Sequence, residues 1–344
     1  MANTLKVGII GLGSMGSTHL DIYSKIKEVE VAAIADSIQS RLDGSSQAEG
    51  NISGQAEGGV TGLNAKKYLD GMDLIDNPEI DIVDICVGTD LHFIFVEAAL
   101  AKGKHVLVEK PLARNYDEAK KIVQLAEQSS NYVMSAMCLR YWPAWVYLKE
   151  AIESNAYGKC LSLNFKRQTS FPGGAFYSDH KQCGGALLDL HVHDTDFVNY
   201  CLGLPDAVFS QGYKGPSGGI DHIVTHYIFN DSDLSPLVSS EGSWTMQEGY
   251  GFDMSYTANF ENGTLSYLLG EDETLKLFRT GYEPESIQLK AGMGYEFEIR
   301  TFVEEILSGR STNLDLLRQA SETVAIIEAE KTSIETCSLV SIKV

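Results

Sequence analysis

The sequence predicts an α/β protein: an N-terminal doubly wound parallel sheet, then an α+β domain built on a large, mostly antiparallel open sheet. Three observations predict it. Short apolar strands alternate with helical stretches up to about residue 138. The hydrophobic period then changes to strict alternation over many short runs. A strand, glycine turn and helix start stand at the very beginning, in Val7-Gly8-Ile9-Ile10-Gly11-Leu12-Gly13-Ser14-Met15-Gly16. At 344 residues the chain is long enough for two cores. The expected domains are 1–138, dinucleotide-binding, and 139–344, substrate-binding and oligomerising.

Leu5 to Ile10 reads as a buried parallel strand. Gly11, Gly13 and Gly16 follow as G-x-G-x-x-G, and Ser17 to Ile26 can form a helix. The first glycine makes the turn, the second lets a pyrophosphate approach the backbone, and the third lets helix and strand pack closely. The helix N-terminus then offers its N–H groups to the phosphates. A second strand, Val29 to Ala35, ends in Asp36, where the fingerprint expects the carboxylate that binds the adenosine ribose hydroxyls. A carboxylate repels a 2′-phosphate, so NAD is expected over NADP. Ser14, Met15 and Arg41 are expected beside the same cofactor.

Ser37 to Asn64, rich in Gly, Ser, Gln and Glu, reads as a flexible surface insertion, with covering the adenosine end as the alternative. Regular structure resumes with a strand over Ile80 to Val87, a helix over Leu91 to Ala101 and a strand over His105 to Val108. Asn115 can cap a helix running to Ser129, with Glu118 as its reciprocal partner. Tyr132 to Ala136 completes the alternation. Past Cys160 one helix, Ala186 to Cys201, interrupts a series of alternating strands, and Glu261-Asn262-Gly263 marks a hairpin. Helices over Glu296 to Leu307 and Leu314 to Thr332 and a strand over Leu339 to Val344 close the chain.

The net charge of −20 argues against nucleic acid or an anionic membrane as partner. Six scattered cysteines without a C-x-x-C pair suggest neither a zinc ribbon nor a redox dithiol, and fit a reducing, cytoplasmic setting. No apolar run is long enough to cross a bilayer.

Three further stretches carry chemistry. Val108-Glu109-Lys110-Pro111 ends a strand, where doubly wound sheets bind ligands; Lys110 points into the crevice or is simply a surface lysine. In Gly184-Gly185-Ala186-Leu187-Leu188-Asp189-Leu190-His191-Val192-His193-Asp194, Asp189 and His193 are four apart and share a face of a helix. A carboxylate beside an imidazole makes a general base near neutral pH. The alternatives there are a solvated helix face, or a metal site drawing on His191, His193 and Asp194. His191 and His193 are two positions apart, so on a helix they diverge by about 200°, which argues against their sharing one metal; no metal is expected. Thr89 and His92, in Val87-Gly88-Thr89-Asp90-Leu91-His92, line the dinucleotide cleft, or Thr89 caps the helix. Arg140, Tyr141 and Trp142, and Tyr177, Asp179 and His180, are further candidates for the pocket.

Together the glycine loop, Glu109-Lys110-Pro111 and Gly184-Gly185…Asp189-Leu190-His191-Val192-His193-Asp194 resemble the Gfo/Idh/MocA family, NAD(P)-dependent oxidoreductases of sugars, cyclitols and their relatives. Tyr295-Glu296-Phe297-Glu298…Phe302 also resembles the family's helix after the sheet. The resemblance implies a dehydrogenase acting on CH–OH groups of a sugar or polyol and a homodimer or homotetramer formed through the C-terminal sheet. It implies catalytic roles for Lys110, Asp189 and His193, the histidine as proton acceptor. Glu109 and Lys110 join Gly11, Gly13, Gly16, Asp36, Thr89 and His92 at the cofactor. Two features depart from the pattern: Val87-Gly88 where the family often has Thr-Pro, and the long 37–64 segment. The same scaffold also serves aldose–aldose oxidoreduction, glycoside cleavage with tightly held NAD, and NAD(P)-binding regulators without turnover.

Overall fold

The computed structural model describes residues 4–46, 60, 62–230, 236–270 and 274–344. Contacts divide the chain into two units, Met1–Met137 with Tyr295–Ser321, and Cys138–Gly294 with Glu322–Val344.

The first unit alternates strand and helix: β1 (Leu5–Ile10), α1 (Ser14–Ser24), β2 (Val29–Ala35), α2 (Gln39–Leu42), β3 (Lys66–Tyr68), α3 (Gly71–Ile75), β4 (Ile82–Ile85), α4 (His92–Ala101), β5 (His105–Glu109), α5 (Tyr116–Glu127) and β6 (Val133–Ala136). Among the described residues the sheet has six strands in the order β3-β2-β1-β4-β5-β6, all paired in parallel. Val7, Ile9, Ile34, Ile82, Val83, Ile85 and Val106 to Val108 are fully buried. Such continuous apolar strands need helices on both faces. The strand order reverses between β1 and β4, so their carboxyl ends form the switch point where this fold takes its ligands. Asn115 caps α5 as expected, its Oδ1 accepting the Glu118 N–H at 2.9 Å. The short β3 and α3 were not anticipated; their polar, turn-rich sequence carries no clear period.

In the second unit, α6 (Pro143–Glu153) opens with proline in its first turn. The chain continues through β7 (Cys160–Ser170), three short helices, α7 (Gly174–Tyr177), α8 (His180–Cys183) and α9 (Gly185–Asp189), and then α10 (Val192–Leu202). The strands β8 (Ala207–Lys214), β9 (Ile220–Ile228), β10 (Leu237–Met246), β11 (Phe252–Phe260), β12 (Gly263–Leu268), β13 (Leu275–Phe278) and β14 (Glu285–Ser286) follow. The expected hairpin joins β11 to β12 through Glu261 and Asn262, with Phe260 paired to Gly263. After α11 (Gly294–Leu307) and α12 (Leu314–Thr336) comes β15 (Val340–Ser341); among the described residues this sheet has nine strands, in the order β14-β13-β12-β11-β7-β10-β9-β8-β15. Among the described residues of this sheet only the β7–β10 pair is parallel. One face buries Phe165, Tyr256 and Tyr267 against Trp145 of α6 and Phe197 of α10, with ring centroids 4.9–6.4 Å apart. The other presents partly or fully exposed Asn164, Lys166, Glu241 and Thr257.

The unit boundary departs from the expected 139–344 domain in one segment, 295–321, which groups with the first unit. The reason is local packing. Phe302 of α11 meets Tyr132 with ring centroids 5.8 Å apart. The Thr312 hydroxyl accepts the Val133 N–H at 2.9 Å and donates to the Asn131 carbonyl at 3.1 Å. The expected continuous helix over 186–201 is also corrected. It is broken after Asp189, where both Leu190 and His191 return their N–H to the Ala186 carbonyl, and it restarts at Val192. No helix among the described residues is long and apolar enough to cross a membrane.

Candidate active site

The glycine loop is shaped for a close-approaching anion. Gly11 has φ +91°, and a Cβ at Gly16 would collide with the Gly11 carbonyl oxygen. A Cβ at Gly13 would meet nothing within 4 Å, so the space over this N-cap is open. No acidic residue lies in the first turn of α1, whose partial positive end favours phosphate. These features fit a dinucleotide pyrophosphate over Gly13, Ser14 and Met15.

Asp36 ends β2 and is buried. Its Oδ2 accepts the Leu12 N–H and its Oδ1 the Ile38 N–H, each at 2.8 Å. Arg41 reaches Oδ2 at 3.3 Å. The carboxylate therefore locks the glycine loop to the end of β2, and it keeps lone pairs for a ribose hydroxyl. Within the 37–64 segment, 47–59 and 61 lie outside the described residues, so the expectation of a flexible insertion falls largely outside them.

At the ends of β4 and β5, His92 is wholly buried and both ring nitrogens face carbonyls, Nδ1 at 2.9 Å from Pro111 and Nε2 at 3.2 Å from Val87. Burial lowers its pKa, and the neutral ring places its single proton best on the shorter contact. His92 thus braces the turn after β5, and its polar atoms serve the backbone. Thr89 is buried in a 3₁₀ turn, Thr89–Leu91, and the N-cap of α4 is Leu91, so Thr89 does not cap that helix. The Lys110–Pro111 peptide bond is cis. Between Val106 and Ala113, Lys110 is the one residue not buried. Its N–H donates to its neighbour's Glu109 Oε2 at 2.9 Å.

The 185–199 segment shows the same pattern: Asp189 and His193 alone are not buried. They lie on two successive short helices, and not four apart on a continuous one. Gly185, at φ +72°, packs against the Ile220 backbone, where a Cβ would come within 2.8 Å. The Ala186 N–H is held at 3.1 Å by buried Asp221. Cys138 Sγ stands 3.8 Å from His193 Nδ1, a sulfur contact that no sequence pattern announced.

The neighbouring polar residues of the motif are structural. Asp194 forms a two-pronged pair with Arg167, at 3.0 and 3.1 Å. Asp196 forms another with Arg140, at 2.9 and 2.7 Å, and also accepts from Thr323 at 3.0 Å. Arg140 is thereby corrected from a pocket candidate to a core ion pair, and Trp142 is buried as well. His191 is fully buried, with Nε2 within 3.3 Å of Thr225 and Ser240 and 3.5 Å of Glu330. The metal alternative thus finds His191 and Asp194 engaged elsewhere. Asp179 caps α8 through the Lys181 N–H at 3.0 Å.

An open phosphate cradle at the switch point of a parallel six-stranded sheet marks the first unit as a dinucleotide-binding Rossmann domain. A model of the oxidoreductase family with NAD-binding Rossmann fold, GFO/IDH/MocA, matches residues 5–137. One of the GFO/IDH/MocA C-terminal domain matches 145–266. The chain is 30% identical over 321 residues to inositol 2-dehydrogenase of Ralstonia nicotianae, covering 90% of this chain and 88% of that one. It is 27% identical over 256 residues to myo-inositol 2-dehydrogenase of Thermotoga maritima, covering 72% and 71%. A levoglucosan dehydrogenase solved with NADH and levoglucosan shares the fold, with a TM-score of 0.83, 20% identity and coverage of 99% and 100%. The protein belongs to the Gfo/Idh/MocA family of oxidoreductases, and its cofactor is NAD.

Proposed function

We propose that the protein interconverts a secondary alcohol and a ketone on a sugar, cyclitol or related polyol. The observation that carries this is the accessibility of Lys110, Asp189 and His193 alone within their buried motifs. The names of the inositol dehydrogenase relatives support the substrate class. NAD supplies the two-electron chemistry when bound, accepting or returning a hydride. His193 takes the hydroxyl proton, with Asp189 orienting the ring and stabilising its charged form. Lys110 holds the reacting oxygen and offsets its growing negative charge. Gly13, Ser14, Met15 and Asp36 hold the cofactor, and Arg41 supports Asp36. A homodimer or homotetramer through the exposed sheet face and a cytoplasmic location belong to the same proposal.

The test follows absorbance at 340 nm with NAD or NADP and a panel of inositols, aldoses and sugar acids. Turnover of one of these with NAD, abolished in Lys110→Ala, is the expected result. No turnover across the panel, or full activity in Lys110→Ala, would overturn the reading.

A further inference from the structure

Beneath the glycine loop lies a cluster of buried ionisable groups that the proposed chemistry does not use. His19 sits on α1, three residues past Gly16, and is fully buried. Its Nδ1 donates to Asp84 Oδ2 of β4 at 2.8 Å. Its Nε2 stands 3.2 Å from Glu109 Oε1 of β5, in the geometry of an ion pair and not of a linear hydrogen bond. Cys86 Sγ is 3.4 Å from both His19 Nδ1 and Asp84 Oδ1. Glu109 passes the chain on, since its other oxygen accepts the Lys110 N–H.

The charges in this cluster are readable. Burial opposes the imidazolium, but Asp84, through its charge and its hydrogen bond, outweighs it and raises the His19 pKa well above its ordinary value. Burial likewise opposes the Glu109 carboxylate, and His19, then Lys110, bring its pKa below the usual range. The Cys86 thiol is pushed far up, by burial first and Asp84 second, so it stays protonated and unreactive. An imidazolium therefore lies between two carboxylates. An unpaired Glu109 at this depth would be costly, which is why its side chain turns inward while the next residue, Lys110, stays accessible.

We propose that Asp84, His19 and Glu109 form a positioning relay that ties the cofactor-binding helix α1 to the backbone of Lys110. The inference rests on the catalytic reading of Lys110. His92 secures the far side of the same turn through the Pro111 carbonyl, so residues 109–111 are held from both ends. His19 touches neither substrate nor reacting atoms; it acts through Glu109. The same side chains have the composition of a metal site, with His19, Asp84 and Cys86 donors within 4.8 Å of one another. The distances favour the relay. Two donors of a tetrahedral zinc stand roughly 3.3 Å apart, given bonds of about 2.0–2.1 Å. His19 and Asp84 are in direct hydrogen-bond contact, and the second ring nitrogen already faces Glu109.

The test is His19→Asn, which keeps a donor toward Asp84 and removes the charge facing Glu109. Three quantities are read: amide hydrogen exchange at Lys110 in the protein without substrate, NADH affinity by fluorescence, and kcat and KM in the 340 nm assay. The relay predicts exchange at Lys110 about tenfold faster. It predicts kcat about 10- to 100-fold lower, as expected for a misplaced catalytic group, with KM and NADH affinity within about threefold. Unchanged exchange and kcat would overturn it. NADH affinity falling in step with kcat would do so too, marking His19 as support for α1 alone. Stoichiometric metal in the wild type that is lost in His19→Asn would replace the relay with a metal site. Should His19→Asn fail to fold, Glu109→Gln keeps an oxygen for the Lys110 N–H and lacks the charge. It should show the same faster exchange and lower kcat, and an unaltered Glu109→Gln overturns the relay. Exchange reports on the relay even if Lys110→Ala keeps its activity, so the two readings fail separately.

Discussion

At the scale of single residues, exposure sets the proposed catalytic residues apart from the paired, buried ones. Asp189 and His193 are accessible in a segment where Asp194, Asp196 and His191 are buried and paired. All five are aspartates or histidines, types that are catalytic elsewhere, so residue type could not rank them. Burial can, because an interior carboxylate must spend its lone pairs on fixed donors, as Asp194 does on Arg167 and Asp196 on Arg140. The proposed role of His193 predicts that His193→Ala lowers kcat about 10²- to 10⁴-fold, the range for losing a general base. NADH affinity, measured by fluorescence titration, should stay the same. A parallel loss of NADH binding would make His193 a structural residue. The contact between Cys138 and His193 was illegible beforehand, because a lone cysteine 55 positions away carries no motif.

At the scale of elements, the first sheet was legible almost strand by strand. Strands β1 and β2 are buried on both faces over Val7–Ile10 and Ala33–Ala35, so those stretches carry no charged residue. The break between α9 and α10 was not legible. Asp189 to His193 fits helical spacing, and the interruption shows only in the backbone, where Leu190 and His191 both return their N–H to the Ala186 carbonyl. The glycine loop and β2 form one functional element through Asp36, whose carboxylate accepts the Leu12 N–H. Asp36→Ala therefore has two expected effects. It removes the charge that repels a 2′-phosphate, so the ratio of kcat/KM for NAD over NADP narrows. It also frees the Leu12 amide, so NADH affinity falls. An unchanged cofactor ratio would remove Asp36 from the ribose site.

At the scale of the whole molecule, the buried Asp84–His19–Glu109 charges link stability to pH. The His19 pKa is raised in the folded protein. Its contribution is complete below its unfolded value, about 6.5, and is lost as pH rises toward the folded value. The Glu109 pKa is lowered. Its contribution is complete above the unfolded value, about 4.3, and is lost as pH falls. Both are fully present between these limits. Melting temperatures of wild type and His19→Asn should thus differ most between about pH 4.3 and 6.5, and converge as pH rises above about 6.5. A difference that does not shrink as pH rises above about 6.5 would mean that His19 is not charged in the folded state.

By itself the sequence determined the strand–glycine–helix start, the apolar cores of five of the six parallel strands and the change to an antiparallel sheet, and it singled out Lys110, Asp189 and His193 as candidates. These are local signals: a period, a turn residue or a motif whose parts lie within a few residues of one another. Tertiary structure decided which polar residues became partners. His19, Asp84 and Glu109 are 65 and 90 positions from first to second and first to third, and no short-range pattern relates them. It also grouped 295–321 with the first unit through Phe302 and Thr312. The physical reason is the same in both cases. A buried charge or hydroxyl must find a partner wherever the fold brings one within hydrogen-bond reach, and that distance in space is not written as a distance along the chain.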